Sequence, residues 1–287
     1  MYLSTNESYF ATKFGTGEVR SLRDRVKICA FAGFKYIDVS LCGSRESLNP
    51  ASFDDCVDRA RALREYCDGM GVSINQTHAP FVYQLKKDPL CMERAVEVSA
   101  ILGADNMVIH ADASVSRDGI FSTELDLKKI CEFYAPYAEL AAKRGIHLAV
   151  ENLFEEDTST GERKRFTSTV EEQIAVIEYL GPQVMTACWD FGHGRVTYGD
   201  GQIEALKKVR KYLAATHVHD NMIGRDLHQH VFCGGTDWIE IMKYLHETGY
   251  DKGFTFEMVY GKLPDELVTD FLKFQKKVGD YMITSMK

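Results

Sequence analysis

Short apolar runs rich in β-branched and aromatic residues recur along the chain, and longer stretches with apolar residues at helical spacing lie between them. The strand-like runs are Tyr2–Thr5, Tyr36–Val39, Ser73–Thr77, Asn106–Ile109, His147–Val150, Val184–Cys188, Ala214–Val218 and Phe254–Phe256. The helix-like stretches are Arg20–Ala32, Asp54–Gly69, Pro89–Leu102, Leu127–Lys143, Val170–Leu180, Ile203–Val209, Trp238–Thr248 and Asp265–Val278. Apolar residues recur at helical spacing in each, as in Val26, Ile28, Cys29 and Phe31, or Leu267, Val268, Phe271 and Leu272. Glycines such as Gly71 and Gly103 follow helices, where a residue tolerant of positive φ ends the element and leads into the next strand.

Strand and helix in alternation predict a parallel sheet, because a parallel neighbour is reached only by a crossover. Eight such units close naturally into a barrel. An open doubly wound sheet would more often carry a Gly-rich phosphate turn after its first strand, and none follows Tyr2–Thr5. The expected fold class is α/β, a (β/α)8 TIM barrel, with residues 1–287 as one domain, and 287 residues suit that architecture. The polar loop Glu155–Phe166, with Arg163, Lys164 and Arg165, is the longest connection after a strand and is expected over the barrel mouth. It reads equally as a substrate lid or as a solvated loop.

Composition narrows the classes of partner. Hydrophobic residues at 45% and charged residues at 26% supply one large core with a charged surface. A formal charge of −8 repels phosphate backbones, so a nucleic-acid role would need a local basic patch, and a small-molecule substrate is favoured. The 8 cysteines form no CxxC pair, as expected for reduced thiols in a cytosolic protein. No basic segment followed by an apolar stretch opens the chain, and no apolar run approaches the roughly 18 residues of a membrane span. A cytoplasmic location is expected.

The residues at the ends of the strand runs carry the chemistry: His78, His110, Glu151, Asp190 with His193, His217 with His219, and Glu257. All are metal-ligand types. The C-terminal strand ends of a β/α barrel converge on one opening, so residues distant in sequence meet there. Clustered buried carboxylates repel one another unless neutralised, and imidazoles beside them suit a divalent ion such as zinc or manganese. The expected primary site is Glu151, Asp190, His217 and Glu257. His219 follows His217 at a spacing of two and faces inward with it, as a substrate contact or as the partner that orients a ligand.

The segments Thr77-His78-Ala79-Pro80, Val108-Ile109-His110-Ala111-Asp112, Val150-Glu151-Asn152, Trp189-Asp190-Phe191-Gly192-His193 and His217-Val218-His219-Asp220-Asn221, then Asp226-Leu227-His228, Gly234 and Asp237-Trp238, resemble the xylose isomerase-like superfamily. That superfamily includes sugar phosphate isomerases and epimerases and the endonuclease four family. The similarity spans nearly the whole chain. For the endonuclease branch it implies one zinc at His78, His110 and Glu151, a second at Glu151, Asp190, His217 and Glu257, and a third at His193, Asp226 and His228. For the isomerase and epimerase branch it implies one metal on Glu151, Asp190, His217 and Glu257, with the two glutamates moving protons. One to three divalent ions are therefore implied, and both ligand sets are complete.

Departures separate the branches better. The endonuclease branch resembles a DNA-binding surface, yet the loop after the second strand, Ser40-Leu41-Cys42-Gly43-Ser44-Arg45-Glu46-Ser47, has one base and one acid, and Phe81 stands where that branch has tyrosine. His219-Asp220-Asn221 and Asp237-Trp238 look more like the sugar branch, although the turn before the last pair is altered to Phe232-Cys233-Gly234-Gly235. The expected function is a divalent-metal-dependent sugar or sugar-phosphate isomerase or epimerase. Glu151 and Glu257 would exchange a proton beside a carbonyl by way of an enediolate that the cation stabilises. His193, His219 and Arg163 would position substrate hydroxyls or a phosphate. The alternatives are a dehydratase of a keto-polyol, a trinuclear zinc phosphodiesterase acting at abasic DNA, and a non-catalytic sugar-binding barrel. Self-association is left open.

Overall fold

The computed structural model describes residues 1–42, 48–50, 52, 54–81, 90–111, 123–155 and 165–287. Its main sheet holds the parallel strands β1 (Tyr2–Asn6), β2 (Tyr36–Ser40), β3 (Ser73–His78), β4 (Asn106–Ile109), β5 (His147–Glu151), β6 (Met185–Asp190), β7 (Leu213–His217) and β10 (Gly253–Phe256), in the order β10-β1-β2-β3-β4-β5-β6-β7. The remaining gap between β7 and β10 is bridged just past their ends. Val218 N–H donates to Thr255 O at 2.8 Å and Glu257 N–H donates to Val218 O at 3.0 Å, which closes the sheet on itself. The fold is the expected TIM barrel.

Helices α1 (Leu22–Phe31), α2 (Cys56–Met70), α3 (Cys91–Leu102), α4 (Thr123–Lys143), α5 (Val170–Leu180), α6 (Phe191–Tyr198), α7 (Gln202–Val209), α8 (Trp238–Glu247) and α9 (Val268–Ser285) alternate with the strands. Each begins or ends where local chemistry dictates. The Ser21 hydroxyl accepts from Asp24 N–H at the start of α1, and Gly71, at φ 67°, ends α2 in a left-handed conformation closed to most side chains. Val26, Cys29, Leu63, Val96, Ile177, Leu206, Leu245 and Leu272 on the helices are buried in one core with Ile37, Ile74, Met107, Leu148, Val150 and Phe254 on the strands. Burying a side chain of this size contributes about 1.5–3 kcal/mol. Among the described residues no helix is long and apolar enough to cross a membrane.

The register of the strands sets the level of the site. Side chains alternate between the two faces of a strand, so every second residue points into the barrel. Val108, Ala149, Cys188 and Ala215 form a small apolar cluster apart from the main core. Two residues further along the same strands stand His110, Glu151, Asp190 and His217. The potential ligands thus form the next layer up, seated on an apolar plug.

Two features exceed the expected pattern. The segment after β6 is helical, because the Asp190 side chain caps α6 by accepting from His193 N–H at 2.7 Å. Between β7 and α8 an antiparallel hairpin, β8 (Asp220–Met222) with β9 (Arg225–Gln229), stands outside the eight-fold repeat. The final helix is also displaced: a 3-10 turn at Asp265–Leu267 leads into α9, which runs on to Ser285.

Candidate metal centre

Among the described residues three groups of His, Asp and Glu bring ligand atoms within 4.8 Å of one another: Glu151, Asp190, His217 and Glu257; His78, His110 and Glu151; and His193, His219, Asp226 and His228. The inner group is centred on one imidazole. His217 Nδ1 lies 3.1 Å from Glu151 Oε1, 3.4 Å from Glu257 Oε2 and 3.8 Å from Asp190 Oδ2. Glu151 joins this group to a neighbour, since its other oxygen, Oε2, lies 3.1 Å from His110 Nε2 and 3.6 Å from His78 Nε2. The two histidines face each other with their Nε2 atoms 3.1 Å apart.

The outer group is assembled by α6, the hairpin and His219 in the step between β7 and β8. Asp226 Oδ2 lies 3.3 Å from His228 Nε2 and 3.6 Å from His193 Nε2. The His219 ring stacks on His228 at 3.8 Å, and its Nε2 lies 3.0 Å from Asp190 Oδ1, linking the outer group to the inner. Gly192 permits this approach, for a Cβ there would lie 1.9 Å from the His219 ring. Asn221 sets the hairpin: its Oδ1 accepts from Leu227 N–H at 2.6 Å and His228 N–H at 3.1 Å, and its Nδ2 donates to Asp226 Oδ1 at 3.0 Å. Asp220 ties the following loop down, accepting from Thr236 N–H at 3.1 Å and from the Trp238 indole at 3.0 Å. The run His219-Asp220-Asn221 and the pair Asp237-Trp238 therefore serve one local structure.

The electrostatics show what the groups need. Burial pushes the Glu151 carboxyl up, but the imidazoles of His217 and His110 hold it well below the usual carboxylate range. Burial likewise disfavours charge on His193, yet the Asp190 carboxylate and its neighbours hold it well above the usual histidine value. At His228 the hydrogen bond to Asp226 and the charge of Glu257 outweigh burial and raise the pKa to about 9. Carboxylates this crowded hold protons on the rings as the positive charge available to them, and a divalent cation answers the same demand with donors of the right kind. Mixed imidazole and carboxylate donors suit zinc or manganese. The donor set fits such an ion.

Aromatic rings flank the donors. Phe81 lies 5.5 Å from His78 and 5.2 Å from His110, and Phe154 lies 4.7 Å from His193 with the Arg165 guanidinium 4.4 Å above its ring. The Tyr9 hydroxyl is 3.0 Å from His228 Nδ1. Sequence reasoning overlooked Tyr9, Phe154 and the roles of Asp220 and Asn221. Phe154 carried a readable signal, an aromatic residue three places beyond the strand-end Glu151. Arg163 and Lys164 of the loop after β5, and Gly43–Ser47 of the loop after β2, lie outside the described residues.

A closed parallel barrel whose mouth carries donor groups suited to divalent ions defines the class of protein. The chain belongs to the family described as Xylose isomerase-like TIM barrel, which it matches over residues 26–278. Protein y4fM of Sinorhizobium fredii is 25% identical over 169 residues, covering 58% of this chain, and the match spans about half, 51%, of that relative's length. The solved structure of an L-ribulose 3-epimerase superposes with a TM-score of 0.75 at 15% identity, covering 99% of this chain and 95% of its own. A D-tagatose 3-epimerase-like protein superposes at 0.70 with 19% identity, covering 99% and 100%. At such identities the likeness is one of fold.

Proposed function

We propose that the protein is a divalent-metal-dependent isomerase or epimerase of a sugar or sugar phosphate. The observation that carries this reading is the joining of two glutamates around one imidazole, His217 Nδ1 lying 3.1 Å from Glu151 and 3.4 Å from Glu257. The sugar epimerases that share the barrel support the substrate class.

A divalent cation held by Glu151, Asp190, His217 and Glu257 supplies the charge that acidifies a C–H bond beside a sugar carbonyl, which a carboxylate alone deprotonates too poorly. Glu257, 10% exposed at its side chain against 1% for Glu151, reaches the mouth and takes the proton at Oε2. To return a proton, Glu151 must enter the cycle carrying one at Oε1, which becomes possible once a cation displaces the ring protons of His217 and His110 that hold it ionised. The proton taken by Glu257 passes back to Glu151 through solvent. Return to the opposite face of the same carbon gives an epimer, and delivery to the neighbouring carbon gives an isomer. His219 is fully buried, so it serves by holding Asp190. His193 retains 7% side-chain exposure and meets a substrate hydroxyl. Phe81 and Phe154 line the approach and limit water.

The reading is tested by incubating the zinc- or manganese-loaded protein in D2O with a panel of ketoses, their phosphates and inososes, and following deuterium on the carbon beside the carbonyl by NMR. Uptake is expected with the wild type and not with Glu257→Gln. A second reading, a phosphodiesterase using three zinc ions, is favoured by the two further donor groups beside the inner one. Scission of duplex DNA at an abasic site, with no deuterium uptake by any sugar, would select it and overturn the first.

A further inference from the structure

Three histidines at the mouth commit one ring nitrogen to the main chain. His78 Nδ1 is 3.0 Å from Ala79 O, His193 Nδ1 is 2.9 Å from Asn152 O, and His228 Nδ1 is 2.9 Å from Glu257 O. A carbonyl only accepts, so each Nδ1 donates to it, and each Nε2 is turned toward a carboxylate, although His193 Nδ1 also lies 3.3 Å from Glu151 Oε1 and His228 Nδ1 lies 3.0 Å from the Tyr9 hydroxyl. His217 is turned the other way. Its Nδ1 faces three carboxylates, and its Nε2 is buried with no hydrogen-bond partner.

The acceptor that faces Nε2 is Asp38 Oδ2, at 3.5 Å. Asp38 lies on β2, is fully buried, and has an Oδ1 that also lacks a hydrogen-bond partner. Two amides hold the carboxylate in place: Asn6 Nδ2 donates to Oδ2 at 3.1 Å and Gln76 Nε2 at 3.3 Å. Gln76 is itself fixed, its Oε1 accepting from the Thr255 hydroxyl at 3.2 Å. Oδ2 already accepts two hydrogens while Oδ1 accepts none, and both Oδ1 and the facing His217 Nε2 are buried without a partner. That is costly unless a small rotation of the carboxylate lets it take the Nε2 hydrogen.

We infer that Asp38 is the positioning residue of His217: it receives the Nε2 hydrogen and so fixes the ring plane and tautomer that turn the Nδ1 lone pair toward Glu151, Asp190 and Glu257. The inference rests on the proposed seating of a cation at that inner group. A neutral imidazole has one ring hydrogen. On Nδ1 it would occupy the space among the carboxylates and leave no lone pair for a cation; on Nε2 it goes to Asp38. A shift of about half an ångström brings the two atoms into full hydrogen-bond range. A carboxylate acceptor, unlike a carbonyl, also makes the opposite nitrogen a stronger donor to metal.

The test compares wild type, Asp38→Asn and Glu257→Gln after removal of metal, by zinc competition against a chromophoric chelator and by melting of the metal-free forms. Asp38→Asn keeps shape and removes charge. It should bind zinc about 10- to 100-fold more weakly while melting metal-free at the wild-type temperature. If Asp38→Asn binds as tightly as wild type while Glu257→Gln is weakened, Asp38 has no such role and the seat stands. If Glu257→Gln also binds as wild type does, the seat itself falls. Nitrogen-15 NMR of histidine in the zinc-loaded wild type gives an answer that needs no variant: His217 should carry its hydrogen on Nε2, and a hydrogen on Nδ1 overturns the inference.

Discussion

The inner and outer donor groups meet at one mouth but are built by different means. Glu151, Asp190 and His217 end the barrel strands β5, β6 and β7, and Glu257 directly follows β10. They stand above Val108, Ala149, Cys188 and Ala215, and their spacing is inherited from the sheet's register. The outer residues ride on α6 and on a hairpin held largely by the Asn221 side chain, and His228 has a φ of 47°, a left-handed conformation that its side chain pays for in steric strain. A group fixed by the barrel keeps its geometry as long as the barrel folds. A group fixed by an appended hairpin can be loosened without unfolding the rest.

The largest effect should fall on the inner group. Glu257→Gln keeps the side chain's size but removes a proton acceptor, so turnover should drop about 10²- to 10⁴-fold in a product assay, with the fold retained in the metal-free form. Asn221→Ala strikes only the outer group. Losing its bonds to Leu227, His228 and Asp226 should lower stability by about 1–3 kcal/mol in urea unfolding. Zinc affinity at the inner group should hold; equal loss at both would mean that the two are a single unit.

Gly192→Ala acts at the point where the groups touch. The added methyl would overlap the His219 ring, an overpacking worth about 1–3 kcal/mol, and should push that ring off Asp190. Calorimetry would show both a lower melting temperature and weaker inner-site metal binding, and a change in only the first would uncouple His219 from the inner group.

The last effect concerns pH. The His228 pKa is raised from 6.5 in the unfolded chain to about 9, so the stability it adds to the metal-free fold is complete below pH 6.5 and is lost as pH rises through about 9. Metal binding at the outer group displaces that proton, so affinity there should rise over the same interval. Melting curves across this range with and without chelator test it, and a metal-free protein whose stability does not fall above pH 6.5 would contradict the assignment.

The two groups also differed in how far the sequence revealed them. Each barrel strand was legible because an apolar run stops at an ionisable residue, and period-two alternation places that residue inside. The element α6 was hidden because Gly192 and Gly194 depress helix propensity, and only the Asp190 cap and packing make it helical. The hairpin was hidden because Arg225-Asp226-Leu227-His228-Gln229 lacks the apolar alternation of a buried strand. Asp226 and His228 were found through family resemblance instead. Asp38 left a trace that went unread, an acid set inside the apolar run Tyr36–Val39 at a position facing the lumen.

Manganese titration of the chelator-treated protein, followed by electron paramagnetic resonance and repeated on Asp190→Asn, asks most directly whether the four inner side chains act together on one ion. Asparagine can still cap α6, so the fold is spared. One tight ion fewer per chain in Asp190→Asn than in the wild type is the expected result. An equal number of equally tight ions in both proteins would mean that Asp190 and its neighbours hold no common cation, and the proposed chemistry would lose its seat.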